Sequence, residues 1–307
     1  MTYDVTVVGE IYQDHVFSGF AAWPLPGEET FTDQYEWELG GGAVTTACAL
    51  ARLGRSVQLI GVAGQADMQR LTERLADFGV SAEHITPSSL RTGVTVSIST
   101  VQDRSFFTYP GANKELAPRL LEDSELLLQA SRARHVHLAM PLSASLAAHA
   151  IPLLRSASAT LSLDVGHHVG WLQDEASLGV LSAIDYTMPN AKEATLLSGS
   201  PQDYLQQCRA LGLRNAVVKL GPDGAVLLRD GLEYRAAAPN VTVLDTTGAG
   251  DVFDAGFIDA LLRNETPQNT LEQACACGAM STRAAGALGA LPTREEIMTM
   301  LQVTYAS

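Results

Sequence analysis

The residues best suited to chemistry lie in one stretch, Val243-Leu-Asp-Thr-Thr-Gly-Ala-Gly-Asp-Val-Phe-Asp-Ala-Gly-Phe257. The pattern predicts an apolar strand ending at Asp245, a tight turn at Gly248, Ala249 and Gly250, and a helix with Val252, Phe253, Phe257 and Leu261 as apolar positions. Backbone N–H groups at such a helix start have no partner in the helix and can hold an anion. Small residues in the turn let a phosphate approach closely. Asp251 falls in the first helical turn, where the macrodipole favours its ionised form. A carboxylate beside an anion site is otherwise badly placed, since like charges repel. The placement makes sense if Asp251 faces an acceptor hydroxyl while the amides face a phosphoryl group, because a carboxylate can take the hydroxyl proton as the new bond forms. Spacing alone leaves a second reading open, in which Asp251 only caps the helix. No GxxxxGK[ST] occurs, so a Walker-type phosphate loop is excluded.

Such a turn needs a scaffold. Short apolar runs recur at Val5-Val8, Val57-Val62, Val136-Ala139, Leu161-Val165, Ala216-Leu220 and Ala225-Leu228. Segments of helical period alternate with several of them: Val44-Leu53, Met68-Phe78, Ser145-Leu154 and Gln202-Leu211. Strands separated by helices imply an α/β fold with a mostly parallel sheet covered on both faces, and ligands collect at the carboxyl ends of such strands. Two stretches break the pattern. Gln13-Leu39 carries turn signals at Pro24, Pro26 and Gly27, and Gly93-Tyr109 reads as two strands joined at Gln102-Asp103-Arg104. Both are expected to be hairpins outside the main sheet, either forming a small β lid that excludes water or decorating the surface. The chain thus reads as one domain over 1–307, with lid insertions at about 12–39 and 93–110.

Bulk properties narrow the partners. With 307 residues, 46% of them hydrophobic, the chain can bury a large core. Its formal charge of -14 disfavours nucleic acid and anionic membrane as main partners. Cys48, Cys208, Cys275 and Cys277 contain no CxxC pair and read as buried reduced thiols. The start, MTYDVTVVGE, lacks a basic stretch followed by a long apolar core, and a cytoplasmic protein is expected.

Asp245-Thr-Thr-Gly-Ala-Gly-Asp251, followed by Phe253 and Ala255-Gly-Phe257, resembles the C-terminal signature of the ribokinase-like (PfkB) carbohydrate kinases. Gly40-Gly-Gly-Ala-Val-Thr-Thr-Ala47 resembles the N-terminal signature, and order and spacing agree along nearly the whole chain. The resemblance implies a doubly wound α/β domain with a β-sheet lid, and transfer of the ATP γ-phosphate to a sugar-like hydroxyl. It implies Asp251 as base, the Gly248-Ala249-Gly250 turn as anion hole, and Asp245 with Thr247 as the place for a monovalent cation such as K⁺. In Met188-Pro-Asn-Ala-Lys-Glu193 it resembles the family's Asn-x-x-Glu element, so Asn190 and Glu193 become candidates for phosphate and magnesium-bound water. An ordinary capping box would give the same residues, and both roles can coexist. Lys219, Gly221 and Gly224 are candidates for phosphate or ribose contact, although a hairpin turn has the same sequence. Ala276 and Ala279, with Gly278, would leave room for adenine or suit tight helix packing. On the acceptor side the resemblance points to Asp14, to Gly40, Gly41 and Gly42, to Thr45, and to Asn113 where the lid returns.

The match departs at two places. Thr45 stands where many sugar kinases of this family have Asn, and Asp164-Val-Gly166 replaces an Asp-x-Asn, which puts the identity of the acceptor in doubt. No Lys follows Gly40-Gly41, so an unphosphorylated acceptor is expected, with Arg91 or Arg104 as alternative sources of positive charge. His135-x-His137 and His167-His168 invite a metal reading without an obvious third ligand; His167 is also a candidate for the acceptor pocket. Trp23, Phe31 and Trp37 could stack on a nucleoside base or fill a lid interface between two copies, and a homodimer is expected because a lid has sheet edges to cover. A binding regulator that kept the fold and lost turnover is the competing class.

Overall fold

The computed structural model describes residues 3–101 and 104–305; Gln102 and Asp103 of the expected lid turn lie outside the described residues. The strands are β1 Val5–Gly9, β2 Tyr12–Phe20, β3 Gln34–Gly40, β4 Val57–Gly64, β5 Val80–Ser88, β6 Gly93–Thr100, β7 Arg104–Tyr109, β8 His135–Ala139, β9 Thr160–Leu163, β10 Tyr186–Thr187, β11 Asn215–Lys219, β12 Ala225–Arg229 and β13 Leu232–Ala236. Nine of them form one sheet in the order β13-β12-β11-β10-β9-β8-β1-β4-β5. Strands from β5 to β11 pair in parallel, and only β11-β12-β13 is antiparallel.

Helices cover both faces of this sheet, which is why its strands are apolar on both sides. In β1, Val8 packs into one core layer while Val5 and Val7 pack into the other, the two-residue alternation of a strand buried on both faces. The helix Gly42–Arg52 follows the second of these layers, with Val44, Ala47, Cys48 and Leu50 fully buried. All four cysteines are free and buried, as the spacing predicts.

The two irregular stretches form a separate four-stranded sheet, β3-β2-β6-β7. β2 and β3 pair antiparallel, as do β6 and β7, while β2 and β6 run parallel and join the two pairs. One face of this sheet carries Asp14, Glu36, Glu38, Thr95 and Ser97, and the alternate residues, among them Tyr35 and Phe107, lie on the other. The carboxyl ends of β9, β10 and β11 deliver Asp164, Asn190 and Lys219 to one rim of the large sheet, the rim where a parallel sheet presents its ligand site.

Candidate active site

The helix Ala249–Leu262 begins at Gly248, whose φ of 74° is left-handed. A Cβ there would lie 2.7 Å from the Ala287 Cβ and 3.1 Å from the Thr45 methyl, so both conformation and space require glycine. The strand expected before Asp245 is absent. The N–H groups of Leu244 and Asp245 both bond to the Thr282 carbonyl at the end of the helix Pro267–Ser281. With no neighbouring strand to pair with, Val243 and Leu244 remain 57% and 68% exposed. Apolar composition alone was a misleading strand signal here. Asp245 organises the turn instead: one oxygen accepts from the Thr247 amide at 2.9 Å and hydroxyl at 2.7 Å, and the other accepts from the Gly286 amide at 3.0 Å.

The two glycine segments, some 200 positions apart in sequence, meet at Asp251. A Cβ on Gly42 would lie 2.8 Å from Asp251 Oδ1, and the Thr46 hydroxyl donates to the Asp251 carbonyl at 3.2 Å. Thr45 donates its hydroxyl to the Gly41 carbonyl at 3.2 Å and is buried, so its methyl rather than its polar atom meets the turn. Gly41, at φ 95°, passes so close to the Glu10 carbonyl that a Cβ would sit 2.5 Å from its oxygen. Gly40 lies against Asp14, with a Cβ position 2.0 Å from Asp14 Oδ2. Burial, and then Glu38 directly across the ladder, push the Asp14 carboxyl up to about 6. Asn113 donates to the Ile11 carbonyl and accepts from its amide, both at 2.9 Å; its amide ties the chain after β1 to the segment after β7. A cavity of about 440 Å³ opens between the small sheet and the turn, lined by Asp14, Glu36, Glu38, Ser97 and Phe106 on one side and by Asp245, Thr247 and Ala285–Gly289 on the other.

Behind Asp251 lies an ion cluster that the sequence did not announce. The Lys219 ammonium is 2.5 Å from Asp164 Oδ2 and 3.1 and 3.2 Å from the two oxygens of Asp254. Carboxylate oxygens of Asp164, Asp251 and Asp254 lie within 4.8 Å of one another. Four charged groups in a dry site cannot ionise independently. Burial works against the charged form of Asp164, but the Lys219 ammonium outweighs it and holds that carboxyl down at about 2. Burial pushes Asp254 well above the ordinary carboxylate range, with Asp164 adding to the rise against the pull of Lys219. Asp251 is pushed up to about 7, first by burial and then by Asp164, with Lys219 opposing. Lys219 itself, despite burial, is held well above its usual value by Asp164 and Asp254. A carboxylate with a proton affinity near neutrality is well matched to general-base work.

On the other flank, Asn190 and Glu193 form a complete capping box. The Asn190 side chain accepts from the Lys192 and Glu193 amides, while Glu193 accepts from the Asn190 amide at 2.8 Å and side chain at 2.7 Å. Burial, then Asp164, raises the Glu193 carboxyl. Gly221, at φ 64°, has open space where a Cβ would stand. Gly224 does not: a Cβ would lie 1.9 Å from the Ala236 carbonyl, so the hairpin between β11 and β12 accounts for this glycine. Ala276 is wholly buried in the core, whereas Ala279 keeps some exposure. Gly278 sits where a Cβ would be 3.0 Å from the Ala249 carbonyl and 3.2 Å from Phe253, which makes it a close-packing residue between two helices.

The histidine pairs separate. His135 and His137 are fully buried on β8, and both share the Ser162 hydroxyl at 2.7 Å, with Thr160 on the other side of His135. Burial drives them down to about 3 and about 4, so both rings are neutral, and no third ligand joins them among the described residues. His167 and His168 line a second, more open groove with Trp171, apart from the cavity beside Asp14. The Trp37 ring lies under the Arg70 guanidinium, 3.2 Å from centroid to Cζ, and donates to Gln13, and the residue also borders the cavity beside Asp14.

Sequence reasoning missed Asp254 and Ser97, and read Lys219 as a ligand contact without its partners. Asp254 did carry a signal: it is one turn beyond Asp251 in a helix otherwise apolar enough to be buried. Nothing local marks Ser97, which is 5% exposed, lines the cavity and has no hydrogen-bond partner for its hydroxyl among the described residues.

Comparison with known proteins bears on this arrangement. The pfkB family carbohydrate kinase model matches residues 3–294. Ribokinase of Haemophilus influenzae is 29% identical over 308 residues, covering 97% of this chain and 98% of that protein. Aminoimidazole riboside kinase of Salmonella typhimurium is 29% identical, covering 85% of this chain and 87% of its own. Among solved structures, Arabidopsis thaliana ribokinase complexed with ribose and ATP superposes with a TM-score of 0.84 at 25% identity, covering 98% of this chain and 99% of that one.

Proposed function

The chain belongs to the pfkB family of carbohydrate kinases, ATP-dependent phosphotransferases acting on sugar or nucleoside hydroxyls, and we propose that its acceptor is an unphosphorylated sugar or sugar-like molecule deprotonated by Asp251. The observation that carries the reading is the meeting of Gly42 and Asp251. The carboxylate stands at the junction of the two glycine segments, in the same first helical turn as the amides of Gly248–Gly250.

In this reading the turn holds the transferred phosphoryl group through its N–H groups and the helix dipole, which supply charge stabilisation without reorganisation. Asp14 accepts hydrogen bonds from acceptor hydroxyls, and Gly40 and Gly41 bring backbone close to them. Asp251 takes the proton of the attacking hydroxyl. The small sheet serves as the lid that excludes water. The described lining of the cavity is acidic and polar, with Asp14, Glu36, Glu38 and Asp245, a donor and acceptor set that suits the hydroxyls of an unphosphorylated acceptor. Phe106, which lines the same cavity, favours a nucleoside as the second reading.

ATP binds on the side of Asn190, Lys219, Gly221 and Ala279. Glu193 offers carboxylate oxygens with unused lone pairs, a donor type that suits magnesium or its bound water. When bound, the metal neutralises phosphate charge as it develops. Asp245 and Thr247 offer oxygen ligands for K⁺ beside the turn. The outer face of the small sheet exposes Tyr35, Phe107 and Tyr109, with Trp23 edge-on to Phe107, and a second copy of the chain covering it is our reading of the oligomer.

ATP consumption across free sugars, nucleosides and phosphosugars tests the proposal. Turnover confined to phosphosugars would overturn the acceptor class, and turnover with an intact rate in Asp251→Asn would remove Asp251 as the base.

A further inference from the structure

Lys219 is buried, 7% exposed, and its ammonium is fixed by Asp164 at 2.5 Å and by Asp254 at 3.1 Å. A Cβ added to Gly250 would lie 3.4 Å from that nitrogen, so the charge sits directly beneath the turn. The charged groups that act most strongly on Asp251 come from five elements: Asp164 after β9, Glu193 from the helix Ala191–Ser198, Asp14 from β2, Asp254 from its own helix and Lys219 from β11. Of these, only Lys219 is positive. Placing a lysine where both its partners are carboxylates costs desolvation and contributes little to stability unless the geometry is good. Replacement by a neutral side chain would leave Asp164, Asp254 and Asp251 facing one another without compensation, and one way for a dry site to relieve such repulsion is to keep protons on the carboxyls.

We propose that Lys219 is a positioning residue for the reaction: held by Asp164 and Asp254, its ammonium keeps the adjacent Asp251 carboxylate available in the ionised form and supports the Gly250 end of the anion turn. This rests on Asp251 being the base, but it is tested without turnover. The Asp251 carboxyl ¹³C resonance is assigned by its loss in Asp251→Asn and titrated in the wild type, in Lys219→Met, in Asp164→Asn and in the double variant. A single charge removed a few ångströms away moves a half-buried carboxyl by about one pH unit or more. The expected order of midpoints is Asp164→Asn lowest, wild type and the double variant together, and Lys219→Met highest. The double variant removes one charge of each sign, so it remains a usable comparison if Lys219→Met unfolds. A midpoint in Lys219→Met equal to the wild type, or a double variant displaced as far as Lys219→Met, overturns the proposal. Once an acceptor supports turnover, the acid limb of kcat/KM is expected to move with the resonance. A limb that stays in place while the resonance moves refutes Asp251 as base and leaves the role of Lys219 on the carboxyl standing.

Discussion

The acceptor flank and the nucleotide flank of this site use the same residue types in opposite ways. On the acceptor flank the glycines are spaces cut for carboxylates: Cβ positions on Gly40 and Gly42 fall 2.0 and 2.8 Å from oxygens of Asp14 and Asp251. Those carboxyls are packed tightly enough to rise to about 6 and about 7. On the nucleotide flank Gly221 faces open space, and Asn190 and Glu193 satisfy each other in a capping box. Glycine on one side protects the position of a reacting group; on the other it leaves a turn free. Substitutions on the first flank should therefore act on chemistry, and those on the second on stability and nucleotide affinity.

The largest expected effect is that of Asp251→Asn. With the base gone, turnover should fall roughly 100- to 10,000-fold, with ATP affinity, measured by calorimetry, little changed. Gly42→Ala comes next. Its methyl would press on Asp251 Oδ1, and a displaced base should cost about 100-fold in kcat while the thermal midpoint changes only slightly. A Gly42→Ala enzyme with normal kcat would dissolve the contrast between the flanks.

The pH dependence has two opposite signs. Because Asp251 must be ionised to accept a proton, kcat/KM should rise with pH through about 7 and level off above it. For stability the same raised carboxyl works in reverse. A carboxyl whose folded value lies above its unfolded value stabilises the fold below about 4, and that contribution is lost as pH rises through about 7. Relative to Asp251→Asn, the wild type should therefore lose stability between pH 4 and 8, by on the order of a few kcal/mol. Denaturant midpoints of the two proteins across that range check the sign.

Smaller effects belong to the nucleotide flank. Asn190→Ala removes the cap of the helix Ala191–Ser198 and should cost about 1 kcal/mol of stability, together with a rise in KM for ATP and no movement of the acid limb. Gly221→Ala should be the mildest. The added methyl meets nothing, and only the left-handed φ of 64° opposes it, at roughly 1 kcal/mol.

Much of the fold was legible because its signals are local. The Val-rich runs of β1 and β4 and the 3.6-residue period of the helix Gly42–Arg52 each lie within one element, and the capping box at Asn190 and Glu193 spans four residues. The segment before Asp245 misled because Val241, Val243 and Leu244 have strand composition but no strand beside them, and pairing is not a property of one segment.

By itself the sequence determined the turn at Gly248–Gly250, Asp251 in the first helical turn, and the family to which those residues belong. Only the tertiary structure decided that Asp251 rests against Gly42 and that Lys219 joins Asp164, 55 residues away, and Asp254, 35 away. The reason is physical. A carboxyl's proton affinity is set by burial and by the charges that folding brings within a few ångströms, and neither is written in the residues on either side of it.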